Sequence, residues 1–119
     1  MIRVIRRPYV SEAKEGNQSM MIEEFVGRFS SETKSLSIAR ITSPAGRVES
    51  GRKPDFDEHV VVLMGCLRIE SDGVVDEIHP GQAAIIPHGK RVCFSTPDDT
   101  EYFTVCLPAF APRMVSWDR

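Results

Sequence analysis

Long apolar runs are missing from this sequence. The longest covers residues 60–64, far below the roughly 20 residues a membrane-crossing helix needs, so no membrane partner is expected. The basic start, MIRVIRRPYV, is followed by Ser11, Glu12, Lys14 and Glu15 and by no apolar segment, so no secretory signal is read. Cysteine is scarce. Cys66, Cys93 and Cys106 make an odd count of three with no C-x-x-C pair, which argues against a disulfide framework and against a structural zinc site. Free thiols fit a reducing compartment, and a cytoplasmic location is expected. An excess of one charge is also lacking. Fifteen Lys and Arg stand against 17 Asp and Glu, a balance that argues against a nucleic-acid-binding chain. Arg3, Arg6 and Arg7 form a small basic cluster, read as a solvated or subunit-bridging feature. No stretch of twelve residues holds a 3.6-residue apolar period with caps, so helices are not expected.

What the chain has is short β-branched runs divided by turns. Strands are expected over residues 20–29, 35–42, 58–64, 66–70, 74–78, 82–86, 91–96 and 101–107. Pro44, Gly46, Gly51 and Pro54 mark a loop. Ser71-Asp72-Gly73 has the chemistry of a tight hairpin. His79-Pro80-Gly81, Pro87-His88-Gly89 and Pro97-Asp98-Asp99 are further turns. At 119 residues with 41% hydrophobic and 27% charged residues, this is one ordinary globular domain. Strands separated by regular turns imply an all-β sandwich or barrel. Residues 1–19 are polar and loosely patterned and read as an N-terminal arm lying on the body or on a partner chain. The domain proper is residues 20–119.

The punctuation has a fixed spacing. Gly46, five residues, Arg52, Lys53, Pro54, three residues, Glu58, six residues and Gly65 form one frame. Gly81, five residues, Pro87, His88, Gly89, two residues, Val92, three residues and Thr96 form a second. Together they resemble the two motifs of the cupin superfamily, G-x5-H-x-H-x3,4-E-x6-G and G-x5-P-x-G-x2-H-x3-N. Fifteen residues lie between Gly65 and Gly81, similar to the spacing of compact single-domain cupins. The resemblance implies an all-β, cupin-like double-stranded β-helix, or jelly-roll barrel. It also implies where a metal would be held, and there the chain departs from the pattern. The two first-motif histidine positions carry Arg52 and Pro54, and the second-motif histidine position carries Val92. Only Glu58 remains. A charged guanidinium cannot ligate a metal and valine has no lone pair, so no metal and no cofactor is expected. His59 points away from the Glu58 face, and His79 and His88 sit in turns. Weaker likenesses exist to ectoine synthase, whose iron-ligand positions fall on Ala84 and Val92 here, and, around Phe56-Asp57-Glu58, to cupins of the ethanolamine-utilisation type. No activity follows from either.

Strand alternation sorts the remaining chemistry. Glu58, Val60 and Val62 share one face, expected to look into the barrel with Val92, Phe94 and Thr96, and with Tyr102, Thr104 and Cys106 from the last strand. The expected pocket is Arg52, Glu58, Val60, Val92, Phe94, Tyr102 and Thr104. A carboxylate in such a cup is costly unless partnered. Glu58 is therefore either a general base or ligand anchor, helped by Tyr102, or is neutralised by Arg40, Arg52 or another arginine. Arg52 could hold a carboxylate or phosphate or be a solvated loop residue. Cys106 as a nucleophile would need a nearby base. The expected function is a cupin-like barrel that binds a small organic molecule without the usual metal site. The alternative is a metal-dependent cupin enzyme of lyase, isomerase or dioxygenase type with an atypical ligand set including Glu58. The apolar outer strips Val61/Leu63 and Phe103/Val105/Leu107 predict a homodimer.

Overall fold

Alternation along the central strand sets the architecture. In the computed structural model, which describes residues 1–118, the strand Asp57–Met64 buries Glu58, Val60 and Val62 and leaves Val61 and Leu63 exposed. The long strand beside it, Thr100–Leu107, buries Thr100, Tyr102, Thr104 and Cys106 and turns the residues between them outward. Two such strands, paired antiparallel from Glu101↔Met64 to Leu107↔Asp57, present one inner face.

Twelve strands are numbered in chain order: β1 (Tyr9–Ala13), β2 (Met20–Val26), β3 (Ser37–Ser43), β4 (Arg47–Val48), β5 (Arg52–Pro54), β6 (Asp57–Met64), β7 (Leu67–Ser71), β8 (Val74–Ile78), β9 (Ala83–Ile86), β10 (Cys93–Thr96), β11 (Thr100–Leu107) and β12 (Val115–Trp117). A six-stranded sheet has the order β1-β2-β3-β11-β6-β9, and a four-stranded sheet the order β4-β10-β7-β8. A small ribbon pairs β12 with β5, and an Arg52↔Val92 bridge ties β5 to the four-stranded sheet. All pairings are antiparallel. Two facing sheets with such crossovers form the jelly-roll barrel. Among the described residues the helical content is one 3-10 turn, Pro112–Met114. Among the described residues no helix is long and apolar enough to cross a membrane.

The core lies between the sheets. Val60, Val62, Leu67 and Val92 are almost wholly buried, with Ile41, Ile78, Ile86, Phe94 and Tyr102 around them. Turn chemistry holds the register. Asp72 and Gly73 both have positive φ, 53° and 77°, as a two-residue type I′ hairpin requires, and they set Ser71 opposite Val74. Gly65 has φ of 84°, and a Cβ there would overlap the Asp99 carbonyl and Thr100. The first frame therefore ends in glycine for two separate steric reasons.

Two expectations change. The loop from Pro44 to Pro54 contains β4 and β5, strands too short to show a period. The stretch read as an arm supplies edge strand β1, paired with β2 from Tyr9↔Glu24 to Ala13↔Met20. The following residues also dock on the body. Arg47 donates from Nη2 to the Glu15 carbonyl and from Nε to the Gln18 carbonyl, both at 2.9 Å. Asn17 accepts from the Val48 N–H at 2.8 Å.

Candidate functional site

The fold leaves a cavity of about 120 Å³ inside the barrel, walled by β2, β3, β11 and the start of β6. Met20, Ile22, Ala39 and Ile41 form its apolar side, while Phe56, Phe110 and Trp117 stand at another. Trp117 is there because β12 returns to pair with β5, opposite Arg52.

The polar side is an ion network around Arg52, which is 6% exposed. Its Nε donates to Glu49 Oε1 at 2.6 Å and its Nη2 to Glu58 Oε1 at 3.1 Å. Glu58 Oε2 accepts from the Thr104 hydroxyl at 2.7 Å. Glu49 Oε2 lies 3.5 Å from Arg47 Nη1. Two carboxylates therefore face two guanidinium groups, all four side chains buried. The Arg52 guanidinium carbon also lies 4.4 Å from the centre of the Phe94 ring, a cation–π contact strengthened by desolvation.

These contacts fix protonation. Although burial opposes the charge on Arg52, Glu58 and Glu49 together hold it firmly protonated. Burial pushes the Tyr102 hydroxyl far above its usual range, and Glu49 and Glu58 add to this. Tyr102 is therefore a hydrogen-bond donor in the cup. The Cys106 thiol is pushed up to about 12, chiefly by burial and then by Glu58. It is an inert wall group, not a nucleophile. Burial drives Glu49 upward against the pull of Arg52.

The pocket residues expected from the sequence divide into two groups. Arg52, Glu58, Tyr102 and Thr104 line the cavity. Val60, Val92 and Phe94 belong to the packed core, with Phe94 beneath the Arg52 guanidinium. Arg52 is not a solvated loop residue, because β5 bridges to Val92 and pulls it inside. Arg40 does not meet Glu58. It pairs on the outside with Glu23 at 2.9 Å and Glu101 at 3.5 Å. Sequence reasoning missed Glu49, since nothing in the apparent loop signalled burial. The one available sign is its place three residues before Arg52, within ion-pair reach.

The barrel fold implies a metal, and the donor set here does not fit one. The Arg52 cation already occupies the inner oxygen of Glu58, Pro54 and Val92 offer no ligand atom, and none of His59, His79 and His88 lines the cavity. A broader open groove of about 780 Å³ lies between the edge strands β8 and β9. It brings together no comparable buried polar group, so the cup is the better candidate site.

No family model matches the chain. A curated relative, endoribonuclease YbeY from Myxococcus xanthus (strain DK1622), is 41% identical over 95 residues, which are 78% of this chain and 32% of that protein. The chain thus spans about a third of the relative's length. Among solved structures, ethanolamine utilization protein Q from Salmonella typhimurium LT2 superposes with a TM-score of 0.70 over 87% of this chain and 98% of its own, at 16% identity. An RmlC-like cupin from Shewanella frigidimarina gives a TM-score of 0.70 over 86% of this chain and 85% of its own, at 15% identity. At such identities these likenesses speak for the fold.

Proposed function

We propose, from the premise that this chain is a cupin by fold, that its cup binds a small organic molecule directly on protein groups, without a metal. The observation that carries this reading is Arg52. Its guanidinium sits where the barrel would otherwise gather a cation, and it neutralises Glu49 and Glu58 from within. Nε and Nη2 are used, and Nη1 makes no hydrogen bond among the described residues. Nη1 and the protonated Tyr102 are donors available to a ligand. With the charges balanced and the opposite wall apolar, the best occupant is a compact, mainly apolar molecule carrying one acceptor oxygen. Glu58 is the candidate general base or anchor, because each carboxylate oxygen has capacity for a second partner. Density in the cup of protein crystallised as isolated from cells, or binding of such a molecule by calorimetry, tests this. Binding should be lost in Ala39→Leu, which fills the cavity. Unchanged binding in that variant would place the ligand elsewhere.

The activity in the name of the Myxococcus protein stays with that protein. The charged groups here are buried and paired, an arrangement suited to a small ligand and not to a phosphate backbone.

We also propose a homodimer through the outer face of the six-stranded sheet. Val61, Leu63, Ile85 and Leu107 are exposed there, at 43%, 45%, 76% and 39%, and solvent-facing apolar clusters of this kind favour a partner. Light scattering should give twice the chain mass, falling to the monomer in Leu63→Glu. A monomeric parent protein removes the proposal.

A further inference from the structure

The strongest chemistry outside the cup lies on the outer face of the β7–β8 hairpin. Leu67 pairs with Ile78, and Arg68 with Glu77. Leu67 and Ile78 point into the core, so alternation sends Arg68, Glu77 and their neighbours Cys66 and His79 to the other side. Continuing the register puts Cys66 across from His79, with Glu77 two residues along on the same face. The Cys66 thiol, a Glu77 carboxylate oxygen and a His79 ring nitrogen all lie within 4.8 Å of one another.

We propose that Cys66, Glu77 and His79 bind a divalent transition-metal ion of the zinc type. His79 Nε2 stands 3.7 Å from Glu77 Oε1. That is too long for a hydrogen bond. It suits two ligands of one tetrahedral ion, whose bonds of about 2.0–2.3 Å put neighbouring donor atoms roughly 3.3–3.7 Å apart. The other carboxylate oxygen is already fixed. Arg68 Nε donates to Glu77 Oε2 at 2.7 Å, orienting Oε1 as an outer-shell partner does in known metal sites. The Cys66 main chain is held by Thr100. The Cys66 N–H donates to Thr100 Oγ1 at 3.2 Å, and the Thr100 hydroxyl donates to the Asp98 carbonyl at 2.7 Å, with the Cys66 carbonyl 3.0 Å from it. The His79 N–H donates to Gln82 Oε1 at 2.9 Å, fixing the turn.

The donor set chooses the metal. One thiolate, one imidazole and one carboxylate favour zinc or cobalt over magnesium or calcium. Cys66 is 6% exposed, whereas the His79 and Glu77 side chains are 55% and 42% exposed. The ion would sit at the surface, with three protein ligands and a fourth position open to solvent. Binding forms the metal–sulfur bond and releases the thiol proton to water. A search for cysteine pairs does not find such a site, because two of its three ligands are not cysteines.

The test is a cobalt(II) titration of the full, tag-free chain. A thiolate-to-cobalt charge-transfer band should appear, saturate at a single equivalent and be bleached by zinc. Cys66→Ser should abolish it. His79→Ala, an exposed change that spares the fold, should weaken cobalt binding by about tenfold or more. Cys93→Ser and Cys106→Ser should keep the band, which separates this site from the cup. The proposal is overturned by absence of a band at millimolar cobalt, by its survival in Cys66→Ser, or by unchanged affinity in His79→Ala.

Discussion

Arg52 Nη2 meets Glu58 Oε1 at 3.1 Å in the interior of the barrel, with both side chains under a tenth exposed. Both residues belong to the first motif frame, and Arg52 ties it to the second through its bridge to Val92. Glu58 is the one ligand position of the first motif that is retained, and Arg52 stands six positions before it on the strand that bridges to Val92 of the second. An arginine there gives the cup its own permanent cation. Because Glu49 and Arg47 complete the network, no member is left with an isolated buried charge.

Removing one member should therefore be severe. Arg52→Met leaves Glu58 buried without a cation and Glu49 with Arg47 alone, and breaking a buried ion pair in this way costs about 3–5 kcal/mol. Adding Glu49→Gln and Glu58→Gln to Arg52→Met should restore a large part of that loss. Urea unfolding of the single and triple variants measures it. A neutral Arg52→Met would mean that the network contributes little.

Thiol labelling tests the character of the cup wall. With its thiol pushed up to about 12, Cys106 should resist alkylation in the native protein near neutral pH and react only on unfolding. Peptide mapping after iodoacetamide treatment separates the three cysteines. Ready native labelling of Cys106 would show a wetter cup than the structure describes.

Much of this arrangement is legible in the sequence. Residues 74–78 form a strand with the expected bounds, because β-branched residues and an Asp-Gly turn frame them. Alternation separates Tyr102, Thr104 and Cys106 from their neighbours, and their small volume and polar tips put that set inside. The course of the chain from 44 to 54 is not legible, since β4 and β5 are two and three residues long and too short to show a period. Their burial depends on pairing with distant strands, and so the burial of Glu49 and Arg52 depends on it too. The third wall, with Trp117, comes from a C-terminal return whose partner is set only by the folded barrel.

Two of the motif glycines, Gly65 and Gly81, should differ in tolerance. Gly65→Ala combines a φ of 84° with overlap on the Asp99 carbonyl and Thr100, whereas Gly81, at 82°, has open space around it. The left-handed backbone alone costs about 1–3 kcal/mol for a residue with a Cβ. Gly65→Ala should exceed Gly81→Ala in destabilisation. Equal losses in thermal or urea unfolding would mean that the overlap at Gly65 contributes nothing.

Acid should weaken the fold through the surface carboxylates. Asp57 accepts from the His88 backbone N–H at 2.9 Å and lies 2.8 Å from its ring Nδ1. These bonds hold its carboxyl below the ordinary 3.8. Lys90 does the same for Asp72, and Arg68 for Glu77. The native chain therefore binds these protons less tightly than the unfolded chain. The stabilisation is complete above the ordinary values and is lost as pH falls through the lower folded ones. Urea midpoints should drop as pH falls below about 4, and Asp57→Asn should flatten part of that drop. A midpoint that rises on acidification would contradict the assignment.

We propose that an arginine, and no metal, supplies the positive charge of the cup. A crystal of protein as isolated from cells, with anomalous data collected at transition-metal absorption edges, tests it most directly. Arg52 should bridge Glu49 and Glu58, with an organic molecule against Nη1 and Tyr102 and no anomalous scatterer bonded to Glu58. A metal peak bonded to Glu58, with the Arg52 side chain turned out of the cup, would contradict it.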